Sequence, residues 1–274
     1  MMSLEKKQNL ILNLCMGFMG VLALLALFAP WIAKFPYDLQ NVNNIFSSPS
    51  AEHWFGTDSL GRDLFSRLAY GSRISVSIAL VTGACSILIG VILGTIAGYY
   101  GGWFEKLLMR TIDTLYALPS FIILILVMLV VGRDMKGIII ALTITGWLGT
   151  ARLMRAQVMS FKHRDFVESA KSLGSSDLRI ICKHILPNCL APILVELSYQ
   201  IPTNILAEAF LSFLGIGIRP PTPSWGVLAD EGWRALEIYP HLTIFPGLLI
   251  FLTMLVFNVA GDTLRDKWDP FKRR

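Results

Sequence analysis

The stretch FVESAKSLGSSDLRIICKHILPN, residues 166–188, is a polar, basic interruption between two long apolar runs. Glu168 to Leu173 is compatible with a short helix, and Gly174 supplies its C-terminal stop. Ser175, Ser176 or Asp177 can then cap a second helix that runs to Ile185. The pattern predicts a helix-turn-helix elbow that Pro187 ends, setting the angle at which the chain joins the next apolar run. Two readings stay open for such an elbow: a solvated basic loop, or a rigid knob that plugs into a soluble partner.

What lies on either side decides the fold class. About 20 apolar residues are needed to cross a bilayer, and six stretches qualify: 10–33, 74–98, 112–131, 137–157, 189–214 and 242–262. The whole chain of 274 residues is 54% hydrophobic and 16% charged, against about 25% charged in a soluble domain. The expected fold is all-α, a polytopic membrane protein with six transmembrane helices. Lys6 and Lys7 before the first run resemble the start of a signal peptide. The run exceeds a signal's apolar segment, however, and Pro30-Trp31 offers no small-residue cleavage site, so it reads as a retained anchor.

Charge gives the orientation. With both termini inside, roughly 16 of the 24 Lys and Arg fall on cytoplasmic segments and roughly 8 on outer ones, the asymmetry of the positive-inside rule. The excess gathers at Arg152, Arg155, Lys162, Arg164, Lys171, Arg179 and Lys183, and in the tail LRDKWDPFKRR. A net charge of +5 is thereby explained without nucleic acid. The organisation read from the chain is an anchor helix and outer loop over 1–73, a core over 74–264 with a cytoplasmic loop at 158–188, and a tail over 265–274.

Reactive constellations are missing. No G-x-x-x-x-G-K-[ST], H-E-x-x-H or G-x-S-x-G occurs. Cys182-x-His184 is a two-ligand pair without companions, so no metal site is expected. The four cysteines are too scattered for a disulfide framework. Catalytic residues are expected to be none.

Ionisable groups inside spans are expensive and mark function by default. In the fifth run, Glu196, Gln200, Asn204 and Glu208 recur every four residues and share one helical face. That face lines a translocation path or a helix–helix interface. Ahead of the second run, FGTDSLGRDLFSRLAYGSRISVSIAL (55–80) pairs Asp58 with Arg62 and Asp63 with Arg67 at i, i+4, with Leu60, Leu64, Phe65 and Leu68 opposite. This predicts an amphipathic helix over 57–70 lying along the outer membrane face, capped by Thr57, Asp58 or Ser59, before Gly71 turns the chain into the span.

The elbow resembles the EAA loop of permease subunits of ATP-binding cassette importers: Glu168, Ser169 and Ala170, three positions, Gly174, nine positions, then His184-Ile185-Leu186-Pro187. Ser169 stands where alanine is usual, and His184 where many members have isoleucine. The segments FGTDSLGRDLFSRLAYGSRIS, LPSF (Leu118–Phe121), EAFLSFLGIGIRPPTPSWG (Glu208–Gly226) and FPGLLIFLTMLVFNVAGDTLRDKWDP (Phe245–Pro270) are similar to the dipeptide, oligopeptide and nickel branch, in its second, C-type subunit.

That resemblance implies a type I importer permease fold in a bacterial cytoplasmic membrane. It also implies alternating access driven by two separate ATPase subunits that carry ATP and Mg, a second permease subunit as heterodimer partner, and an extracytoplasmic substrate-binding protein. The small residues at 169, 170 and 174 would let the elbow approach the ATPase closely. Peptides are the first substrate expected and nickel or a metal chelate the alternative; a stand-alone secondary transporter would have no use for the elbow.

Overall fold

The computed structural model describes residues 4–268, with side chains from 6 to 267. Long helices dominate: α1 (Leu4–Leu27), α2 (Ala29–Ile32), α3 (Leu64–Tyr100), α4 (Gly102–Tyr116), α5 (Ser120–Val131), α6 (Met135–Lys162), α7 (Asp165–Ser172), α8 (Asp177–Ile180), α9 (Leu186–Phe213), α10 (Trp225–Trp233) and α11 (His241–Trp268). Among the described residues five helices are long and apolar enough to cross a membrane, six if α4 and α5 are one broken span.

The span expected over 112–131 is a broken one. α4 and α5 meet at 93° across Ala117–Pro119. Pro119 has no N–H to donate and disfavours a helical residue before it, so the helix stops and restarts. Exposed backbone is tolerated at membrane depth where it borders a cavity, and Tyr116, Ser120 and Phe121 do line one.

α3 and α6 form the most extensive helix pair. Gly90, Gly94 and Gly98 set it, on one face of α3 at four-residue intervals. A Cβ at Gly94 would sit 2.8 Å from Met154 Cβ, and one at Gly98 would sit 2.9 Å from Val158 Cβ. In lipid, where water drives no apolar burial between helices, such small-residue seams hold helices through van der Waals contact.

The ends of the bundle agree with the six-span reading. Segments expected outside (Phe46, Leu60, Arg62, Arg133, Ile218, Glu231) border one cavity. Tyr99 meets Asp177 at the other end, where Lys267 Nζ also lies 3.3 Å from Asn9 Oδ1. Which end is cytoplasmic rests on the basic-residue asymmetry. In the tail assigned to 265–274, residues up to Trp268 continue α11, and 269–274 lie outside the described residues.

The amphipathic helix over 57–70 is also corrected. Residues 57–63 form a tight turn closed by a Thr57–Asp63 bridge, with Gly56 and Gly61 at φ +79° and +69°. The cap is Asp63, whose side chain accepts from Ser66 N at 2.8 Å and starts α3. Gly71 lies inside α3, where a Cβ would come 3.4 Å from Trp225 Cδ1; it admits the last outer loop rather than turning the chain.

Candidate functional site

The elbow is built as its residue types require. α7 carries Asp165 and Glu168 in its first turn and Lys171 in its last, matching the helix dipole. Its end is a Schellman motif: Ser175 N donates to Ala170 O at 3.1 Å and Gly174 N to Lys171 O at 2.9 Å, with Gly174 at φ +76°. Contrary to the expectation from sequence, Pro187 does not end the second arm. Instead Ile181–Ile185 widen into a π-helical turn, Leu186 N donates to Ile181 O, and the helix continues into α9. A wider turn absorbs the N–H and the space that proline takes away.

The two faces of the elbow differ. Inward, Val167, Ala170, Ile180, Ile181 and Ile185 pack with Tyr99 of α3, Met154 and Val158 of α6 and Cys189 of α9, with Leu186 beside them. Outward, Glu168, Ser169, Gly174 and Pro187 are exposed, as are Leu173 (86%) and Leu178 (71%), while His184 is half-buried. Ala170 packs on its own chain. Tyr99, with no motif to announce it, donates its hydroxyl to Asp177 Oδ1 at 2.7 Å, and Lys162 and Lys171 lie over its ring. The elbow therefore rests on three spans, not only on the fifth.

The polar stripe of α9 is divided. Glu208 is fully buried, accepting from Ser75 Oγ (3.1 Å), Ser212 Oγ (2.8 Å) and Ser224 Oγ (2.7 Å). Ser75 in turn accepts from Trp225 N, and Ser72 from Trp225 Nε1. Glu208 thus ties α3, α9 and the start of α10 together, and it is not among the residues that border the cavity at the α4–α5 break. Glu196, Gln200 and Asn204 do border that cavity, of about 360 Å³, opposite the α4–α5 break. Asn204, largely buried, donates to Ala79 O at 3.4 Å. Gln200 Nε2 reaches Thr150 Oγ1 at 2.8 Å.

At the outer end, Asp58, Arg62, Arg67 and Glu231 form a closed cluster of two acids and two bases. Asp58 Oδ2 accepts from Arg62 Nε at 2.7 Å and from Arg67 Nη1 at 2.5 Å. Glu231 takes Arg62 Nη2 at 3.0 Å and also pairs with Arg67. Asp63 pairs with His53 at 2.9 Å, not with Arg67. Asp58, Arg62, Asp63 and Arg67 were expected on a solvated helix face; all four are buried, and the half-buried Glu231 joins the first outer loop to α10.

Residues 90–274 match the family described as binding-protein-dependent transport system inner membrane component. The chain belongs to that family. Residues 8–49 of this inner-membrane transport component also match the N-terminal transmembrane domain of oligopeptide transport permease C. It is 44% identical over 254 residues to the oligopeptide transport system permease protein OppC of Bacillus subtilis, covering 93% of this chain and 83% of that one. Identity to the dipeptide transport system permease protein DppC of the same organism is 42%, over 92% and 79% of the two chains. It is also 42% to the glutathione transport system permease protein GsiD of Shigella dysenteriae, over 92% and 84%. In fold, the component resembles the inward-facing MetNI methionine ABC transporter, with TM-score 0.58 and 17% identity over 74% of this chain and 96% of that one. The type I importer permease fold follows from this likeness, and the chain is a transport subunit of the inner membrane.

Proposed function

We propose that this subunit carries short peptides inward, beside a second, different permease subunit, and that its elbow docks on separate ATPase subunits that hold ATP and Mg. The observation that carries the proposal is the two-faced elbow: an outer face with exposed Leu173 and Leu178 on a base packed into α3, α6 and α9. An exposed apolar pair on a rigid mount fits a partner groove, and force on that mount reaches three spans together. Peptide as cargo is supported by relatives named for oligopeptide, dipeptide and glutathione transport. Nickel, the alternative on sequence, has no observation in its favour: among the described residues the cavity wall holds no His, Cys or Met. Membership in a binding-protein-dependent family removes the stand-alone secondary transporter.

The test is Gly174→Leu. A Cβ at Gly174 has nothing within 4 Å, so the chain itself leaves room for leucine. The φ of +76° costs the new residue about 1–2 kcal/mol locally. The expected result is a subunit present in membranes at its normal level, with labelled-dipeptide uptake down at least about tenfold, which needs only about 1.4 kcal/mol of lost docking. Uptake at the wild-type rate would refute docking through this face.

A further inference from the structure

The cavity behind the α4–α5 break holds an unbalanced set of groups. Among the described residues, Glu196 is the one charged side chain on its wall. Its hydrogen bond among the described residues comes from Gln200 Nε2 at 3.3 Å, and no basic group pairs with it there. Arg152, on the same inner side, is committed to Asp113 at 2.5 Å and to the Tyr116 ring at 4.9 Å. Gln200 Nε2 also donates to Gly146 O at 3.2 Å, and because a backbone carbonyl only accepts, the orientation of the amide is settled. Gln200 Oε1 is therefore an acceptor enclosed by protein atoms, which leaves Glu196 as the acidic group that faces the cavity. Among the described residues, the Glu196 carboxylate oxygens, with one amide donor and no basic partner, border a space of about 360 Å³ in the membrane-spanning bundle. The chemistry that completes them is a cation with several N–H donors.

We propose that this cavity is a transient subsite for the free α-ammonium group of the passing peptide, with Glu196 as its counter-charge. The proposal rests on the peptide-importer reading and names the group on the cargo that the path recognises. An ammonium is the positive charge common to short peptides whatever their side chains, so one carboxylate serves all of them. Contact at this one end leaves the rest of the peptide free to differ.

The experiment uses the complete complex in proteoliposomes with its loaded binding protein and a labelled dipeptide, comparing wild type, Glu196→Gln and Glu196→Asp. Glu196→Gln keeps shape and removes charge. The expected result is ATPase stimulation by the loaded binding protein within about twofold of wild type, peptide delivered per ATP lower by about tenfold, equivalent to about 1.4 kcal/mol, and recovery of most delivery in Glu196→Asp. Unchanged delivery per ATP in Glu196→Gln overturns the subsite. So does a Glu196→Gln subunit that no longer assembles with the second permease, since the counter-charge would then belong to that partner. If the wild-type complex moves no dipeptide while its ATPase still responds to the binding protein, the peptide reading itself fails, an outcome that the variants do not produce.

Discussion

Asp58→Asn is expected to lower stability by about 3–5 kcal/mol, the cost of breaking a buried ion pair from one side. Asp58 Oδ2 receives both Arg62 and Arg67, whose side chains are 4% and 1% exposed. With asparagine there, an amide nitrogen faces two guanidinium groups, and Glu231 alone must balance them. Arg67 Nε already lacks a partner, so no slack remains. The readout is the unfolding temperature of the purified complex together with protease resistance of the first outer loop. Adding Arg67→Met should recover part of the loss by removing the orphan charge. An Asp58→Asn protein as stable as wild type would mean the charges are solvated, as the amphipathic-helix reading held.

Gly94→Leu is expected to abolish accumulation of folded subunit. At this position even a Cβ comes within 3.0 Å of Ala151 Cα and 2.8 Å of Met154 Cβ, both on α6. A clash with backbone is not relieved by a rotamer change, so Gly94→Ala should itself cost about 1–3 kcal/mol, more than the roughly 1 kcal/mol that alanine gains in helix propensity. Gly20→Ala on α1, with nothing within 4 Å, is the control and should be neutral or slightly stabilising. Comparable membrane levels of Gly94→Leu and Gly20→Ala would show that the α3–α6 seam is not held by close approach.

The spans and the elbow were legible because each follows from local rules. A bilayer demands about 20 apolar residues wherever they occur. Gly174 stops a helix because it reaches φ +76°, whatever surrounds it. The seam Gly90, Gly94, Gly98 was legible too, as G-x-x-x-G-x-x-x-G, although a reading by apolar runs passes over it. The break at Pro119 was hidden because 112–131 is apolar throughout its second half, and hydropathy is blind to the angle at which two short helices meet.

The sequence by itself determined the membrane architecture, the basic inner side and the two-armed elbow, since all three are set by properties of neighbouring residues. Only the tertiary structure decided where the polar residues act. Asp58 and Arg67 look the same at i, i+9 whether water or Glu231 completes them, and that partner lies 164 residues beyond Arg67. Glu196 and Glu208 belong to one four-residue series that drifts about 40° per step, and one borders a cavity while the other is enclosed by Ser75, Ser212 and Ser224. Periodicity says which side chains point the same way. What they meet depends on the helices packed against them, and those come from distant parts of the chain.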